Sequence, residues 1–238
     1  ITLINNTAKD VILSGSSMDG TIQQHIGQGS YNVITEVSDA SFRIVNNRGG
    51  DVLFDGDMAT REFEALWNGS KGNLTQASGK TLLTDSLVIQ NAANIGSTGA
   101  PFNMSVLPGA AFSITGVDNL HARVALRVTS PIDLEFAELA VSGDLDLELV
   151  SDSDKLYVMD VSFDALRAAN ISLRLGEGLS LVDADSDGGV DIEATGNVAL
   201  YTHTAIVTHI GEQDNPLEVV VGGTFLAGAY DEDGASDS

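Results

Sequence analysis

Four aspartates in one nine-residue run carry the clearest chemical signal in the chain. In Asp183-Ala184-Asp185-Ser186-Asp187-Gly188-Gly189-Val190-Asp191, carboxylates alternate and a glycine stands at the sixth place. A hard cation such as calcium gathers oxygens at about 2.3–2.6 Å, and a glycine lets the backbone fold inward to supply them. Asp183, Asp185, Asp187 and Asp191 are therefore expected as the ligands of a calcium loop. The twelfth place, where a bidentate glutamate completes a helix-flanked loop, is Thr195, and Glu193 falls two residues early. The same residues also read as an acidic, solvated turn between two strands. Calcium is the one cofactor that the sequence suggests.

Other reactive side chains form weaker patterns. Tyr230-Asp231-Glu232-Asp233-Gly234, with Asp237, could hold a cation or be a solvated, frayed terminus. Ser151-Asp152-Ser153-Asp154 reads as a turn. His25, His121, His203 and His209 show no metal spacing. Arg123, Arg127, Arg167 and Arg174 are the central bases that a polysaccharide lyase or hydrolase would draw on, beside its paired carboxylates. With 34 acidic residues, chance carboxylate pairs are assured and carry no information. Phe63 and Trp67 could stack a sugar or cap a strand stack hydrophobically. No phosphate loop, nucleophile elbow or dinucleotide fingerprint occurs, and no catalytic residue is assigned. Sequons begin at Asn5, Asn68, Asn73, Asn103 and Asn170.

The elements that must position these groups read as strands. Period-2 alternation dominates. In Gly143-Asp144-Leu145-Asp146-Leu147-Glu148-Leu149, the leucines face a core and the acids face water. Ile132–Phe136, Val124–Val128, Ile171–Leu175, Val190–Glu193, Leu217–Val221, Asp51–Phe54 and Ser86–Ile89 read the same way. Glycine, asparagine and aspartate punctuate the runs. Two stretches, 59–67 and 163–169, have helical spacing but are short, and are expected as loop or cap turns packed on strands.

Composition agrees. The 238 residues are 43% hydrophobic but only 5% aromatic, so the core is aliphatic; 25 glycines against 4 prolines suit many short strands and tight turns. A net charge of −23 repels phosphates and anionic membrane surfaces, so neither nucleic acid nor membrane insertion is expected. No cysteine is present, which excludes disulfides and thiolate sites.

A repeat follows from Ile95-Gly96, with Pro101 six residues after the isoleucine and then a strand, and from Ile210-Gly211 with Pro216. Ile26-Gly27 is a weaker relative. The offsets of 69 and 115 equal 3 × 23 and 5 × 23, pointing to coils of about 23 residues. These segments, with Gly196-Asn197-Val198-Ala199-Leu200 and Ala169-Asn170-Ile171-Ser172-Leu173, resemble the repeats of filamentous-haemagglutinin-type and leukotoxin-type filamentous adhesins. The resemblance spans about residues 40–225. It implies a right-handed parallel β-helix, export by two-partner secretion, adhesion, and no catalytic residues. The present chain is more acidic, with less regular coils.

The expectation is therefore an all-β right-handed parallel β-solenoid of about 20–25 residues per coil, with an antiparallel β-sandwich as the alternative. Residues 1–228 form one continuous solenoid segment of a longer protein, and 229–238 an acidic terminal tail. The expected role is a structural or adhesive segment of a large extracellular surface protein or fibre. Its partners are a host or neighbouring-cell glycan or protein, or further copies of itself. The alternatives are a subunit that assembles end to end into an extracellular filament and a calcium-dependent polysaccharide-degrading enzyme.

Overall fold

In the computed structural model the chain is described over 50–230, apart from 55, 108–111, 128–133, 137, 152–157, 184–188, 205–207 and 213–215. Toward the start it is described at 2–3, 10–15, 20–22 and 41–46, and toward the end at 236–237. Among these residues no helix occurs, so none is long and apolar enough to cross a membrane.

Strands stack in parallel, each on the strand one coil later. On one face Asn119–Leu126, Asp144–Ser151, Asn170–Leu175, Val198–His203 and Phe225–Tyr230 lie in unbroken succession. A second face runs through Ser41–Asn46, Met58–Trp67, Leu82–Gln90, Phe112–Val117, Leu139–Val141, Leu166–Ala168, Ile192–Ala194 and Val219–Val221. A third comprises Leu134–Phe136, Met159–Phe163 and Leu179–Leu181. This is a parallel β-solenoid, and its ladders rule out the antiparallel sandwich.

The alternation found in the sequence explains the interior. Leu145, Leu147 and Leu149 are buried, and Leu147 lies in register between Ala122 and Leu173. Each inward side chain thus touches its equivalents one coil before and after, which is how a repeat stack buries a core with no centre. The few aromatics join the columns. Phe136 stacks on Phe163 at 5.3 Å, and Phe112 meets Phe136 edge-on at 5.1 Å.

One corner is held by a polar ladder. Asn94 Nδ2 donates to Asn73 Oδ1 at 2.6 Å, and Asn119 Nδ2 donates to Asn94 Oδ1 at 2.8 Å. Asn119 Oδ1 accepts the Asp144 N–H at 2.9 Å, and Asn170 Nδ2 donates to Asp144 Oδ1 at 2.8 Å. Asn197 N–H donates to Asn170 Oδ1 and Thr224 N–H to Asn197 Oδ1, each at 2.9 Å. Asp51 Oδ1 begins the series by accepting from both nitrogens of Asn73. Beside this corner Gly143 is obligatory, because a Cβ there would strike Asn119 Oδ1 and the Asp118 carbonyl. Asn119→Ala removes two of the rungs at a half-buried site. The expected cost is about 1–3 kcal/mol, read as a lower urea midpoint with an unchanged slope.

The ladder gives the true coil lengths. From Asp51 through Asn73, Asn94, Asn119, Asp144, Asn170 and Asn197 to Thr224, the steps are 22, 21, 25, 25, 26, 27 and 27 residues. The uniform 23-residue period therefore does not hold. Ile95 stacks on Leu74 and Leu120, whereas Ile210 bridges Leu181 on a different face, so the two Ile-Gly segments are not equivalent coils. By contrast the phrases at 169–173 and 196–200 are true neighbours, with Ile171 on Val198 and Leu173 on Leu200.

The two stretches expected as loop or cap turns are corrected. Residues 59–67 lie in the strand Met58–Trp67, and 163–169 comprise the end of Met159–Phe163 and the strand Leu166–Ala168. Phe63, Ala65 and Trp67 alternate inward, and Trp67 is wholly buried with its Nε1–H donating to the Gly50 carbonyl at 3.1 Å. Trp67 and Phe63 are therefore core, neither a sugar platform nor a cap. Val190 is exposed and regular pairing resumes at Ile192, while Ala229 and Tyr230 belong to the strand Phe225–Tyr230.

Candidate metal centre

The acidic run lies where the chain leaves the third face and enters the second. Asp183 follows Leu179–Leu181 and Asp191 precedes Ile192–Ala194, so the loop between them begins and ends at one corner of one coil. Asp185 and Asp187 fall at 184–188, outside the described residues. The corner is closed from the following coil. Because Ile192 pairs with Val219, the residue before each is also brought into register, and Glu218 comes onto Asp191.

The backbone fixes this meeting. Asp191 and Ile192 N–H groups both donate to the Glu218 carbonyl at 3.1 Å, and the Glu218 N–H donates to Asp191 Oδ2 at 2.8 Å. From the preceding coil, Leu166 N–H donates to the Asp191 carbonyl at 2.7 Å. Carboxylate oxygens of Asp183, Asp191 and Glu218 all lie within 4.8 Å of one another. Asp183 and Asp191 are buried, 7% and 8% exposed, and Glu218 is half-buried.

A buried carboxylate beside other negative charges ionises less readily. Burial pushes the Asp191 carboxyl up to about 6, with the negative charges of Asp183 and Glu218 adding to the rise and the Glu218 N–H opposing it. Either a proton or a cation can offset such crowding. The donor set is entirely oxygen, which suits calcium or magnesium and not a soft metal. Asp183 and Asp191, two of the four expected ligands, are thus brought together. Glu218 joins them from 27 residues further along, where no loop motif reaches. Glu193 points elsewhere, its Oε2 lying 3.5 Å from Arg167 Nε. Strands, not helices, flank the loop.

The remaining candidates disperse. Among the described residues the Asp183–Asp191–Glu218 set is the one group of three side chains able to share an ion. His121 Nδ1 lies 3.8 Å from Asp146, and His209 Nε2 lies 3.7 Å from Glu212. His203 packs edge-on against Tyr230 with ring centroids 5.5 Å apart. His25, Asn5, 152–157 and 231–235 lie outside the described residues. Asn73 and Asn170 are rungs of the corner ladder, so a glycan on either would break it.

The central arginines are held by carboxylates, mostly across coils. Arg123 Nε meets Glu148 at 3.2 Å, Arg127 Nη2 meets Asp85 at 2.9 Å, and Arg167 lies between Glu138 at 3.2 Å and Glu193 at 3.5 Å. Arg174 is the register neighbour of Glu148. Near the corner ladder, Lys71 pairs with Asp118 and holds its carboxyl below the usual carboxylate range.

No family model, curated protein or solved structure matches this chain. The solenoid is therefore identified from its own ladders, which are compatible with a β-helix repeat protein.

Proposed function

We propose that this chain is a structural and adhesive segment of a large extracellular surface protein or fibre, of the filamentous adhesin kind. Its partner is a glycan or protein on a host or neighbouring cell. The observation that carries this reading is where the polar side chains are spent. Arginines 43, 123, 127 and 167 are paired with acids, and asparagines 73, 94, 119, 170 and 197 with the next rung. Such cross-coil pairs stiffen a repeat stack, whereas a catalytic base must face its substrate.

Calcium fits the same reading as a clamp between coils. Held by Asp183, Asp191 and Glu218, it would tie the 183–191 loop to the coil that follows. Exposed and carbonyl oxygens or water would complete its six to eight ligands.

Incubation with a panel of acidic and neutral polysaccharides, with and without calcium, followed by chain-length analysis, tests the proposal. Unchanged chain lengths together with retention of the protein on one immobilised glycan or cell-surface protein are expected. Shortening of any polysaccharide would overturn the structural reading and make Asp183, Asp191 and Glu218 suspects for an acid–base or cation-assisted cleavage.

A further inference from the structure

The asparagines of the corner ladder are doubly held. Asn73, Asn94, Asn119, Asn170 and Asn197 each have their side-chain amide hydrogen-bonded across coils. Each is followed by an aliphatic residue buried in the core: Leu74, Ile95, Leu120, Ile171 and Val198. The backbone N–H groups of Ile171 and Val198 are bonded in turn, to the Asn197 and Thr224 carbonyls at 2.9 Å each.

Asn68 stands in a different setting. It follows the strand Met58–Trp67 and opens an exposed bend, Asn68-Gly69-Ser70. Asn68-Gly69 is the one Asn-Gly pair in the chain. The Gly69 N–H has no hydrogen bond to a described residue, and no side chain shields it. The bend is anchored on both sides. Trp67 is wholly buried with its Nε1–H on the Gly50 carbonyl, and an added Cβ at Gly72 would strike that same carbonyl.

An amide so placed holds the reactants for its own conversion. The Gly69 nitrogen gives up its proton and attacks Cγ of Asn68. A C–N bond forms, the Cγ–Nδ2 bond breaks, and ammonia leaves with the proton. The product is a five-membered succinimide. Water then opens the ring. Breaking the bond from the ring nitrogen to Cγ leaves aspartate; breaking its bond to the main-chain carbonyl carbon leaves isoaspartate. The balance is asparagine plus water to aspartate plus ammonia, with no oxidant, metal or enzyme. Glycine's conformational freedom lets the ring close, and a bonded N–H would first have to break its hydrogen bond.

We propose that Asn68 is a self-modification site: in the folded protein it converts to aspartate and isoaspartate through a succinimide on Gly69, while the ladder asparagines stay intact. The conversion adds a carboxylate to a chain already at −23, in the bend between Met58–Trp67 and Leu74–Gln76. In the isoaspartate form it also adds one backbone atom there. The proposal goes beyond the structural and adhesive role and does not depend on it.

Peptide mapping by mass spectrometry after prolonged warm incubation, in neutral and in mildly alkaline buffer, tests it. The samples are the full chain, the full chain with Gly69→Leu, and synthetic peptides of residues 65–72 with glycine or leucine at 69, the proteins being made in a host that adds no N-glycan. Residue 68 of the full chain is expected to gain the mass that separates a carboxylate from an amide, with isoaspartate identified by fragmentation of its Cα–Cβ bond. Its rate is expected within about tenfold of the glycine peptide's, because no hydrogen bond of the attacking N–H has to break. The rate should rise with pH, since that nitrogen must lose a proton. Gly69→Leu is expected to slow the reaction at least about tenfold in protein and peptide alike. Circular dichroism checks that the variant keeps its β signal. An amide at residue 68 that survives in the folded chain, whether or not the peptide converts, would overturn the proposal. So would conversion of the ladder asparagines as fast as Asn68, because their setting would then give no protection.

Discussion

Leu147→Asp is expected to abolish cooperative folding of the stack. Leu147 is wholly buried and lies in register between Ala122 and Leu173. A carboxylate there finds only aliphatic neighbours, and its burial without a partner costs several kcal/mol even after it takes up a proton. Stability of a repeat stack is a sum of nearest-neighbour terms, so one bad interface severs the two halves from each other. Thermal melts by circular dichroism should lose the single transition, leaving the part before residue 144 and the part after 151 to melt separately or not fold at all. The adjacent Asp146→Asn change provides the contrast. Asp146 points outward, with His121 Nδ1 3.8 Å away, and its replacement should shift stability by no more than about 0.5 kcal/mol. Comparable losses at 146 and 147 would contradict the alternation of the strand.

Asp191→Asn is expected to stabilise the calcium-free protein at pH 7 while abolishing any stabilisation by calcium. Folding raises the Asp191 carboxyl from 3.8 to about 6. Between those two values the folded state therefore holds a proton that the unfolded state has already released. Stability is greatest below pH 3.8 as far as this group is concerned, declines as pH rises from there to about 6, and stays at the lower level above. The penalty at pH 7 is on the order of 1–3 kcal/mol. Asparagine can still accept the Glu218 N–H but carries no charge to crowd Asp183 and Glu218. A melting temperature several degrees higher than that of the parent in chelator, and indifferent to added calcium, is the expected result. The parent should gain most from calcium above pH 6, where the Asp191 carboxylate is mostly ionised. A melting temperature of the parent that calcium leaves unchanged at pH 7.5 would remove the ion from the corner.

The alternation of single strands and the stacking of coils were legible in the sequence, and the length of each coil was not. Period 2 places Leu145, Leu147, Leu149, Ile171, Leu173 and Leu175 inside without reference to any partner. Coil length depends instead on what the corners accommodate, and a corner such as 96–101 takes up extra residues without disturbing the rungs. Spacing by Ile-Gly mistook two different faces for one. That error also hid Glu218. A 23-residue coil sets Asp214 over Asp191, whereas the observed step of 27 sets Glu218 there. The helical spacing of Phe63, Leu66 and Trp67 misled for a related reason. In the stack, Phe63 and Trp67 alternate inward with Ala65, and Phe63 lies parallel to Phe42 with centroids 6.0 Å apart. Neighbours one coil away outweigh the local pattern.

The corner ladder also sets how the protein meets a pulling force. Tension applied between the two ends of the stack bears on the last rung before any other, since each coil is gripped by its neighbour alone. Peeling one coil off frees 25–27 residues in the later half of the stack, a slack of roughly 80–95 Å of extended chain. The stack then presents a fresh rung of nearly the same make. A stack built this way yields in measured lengths and dissipates work at each one.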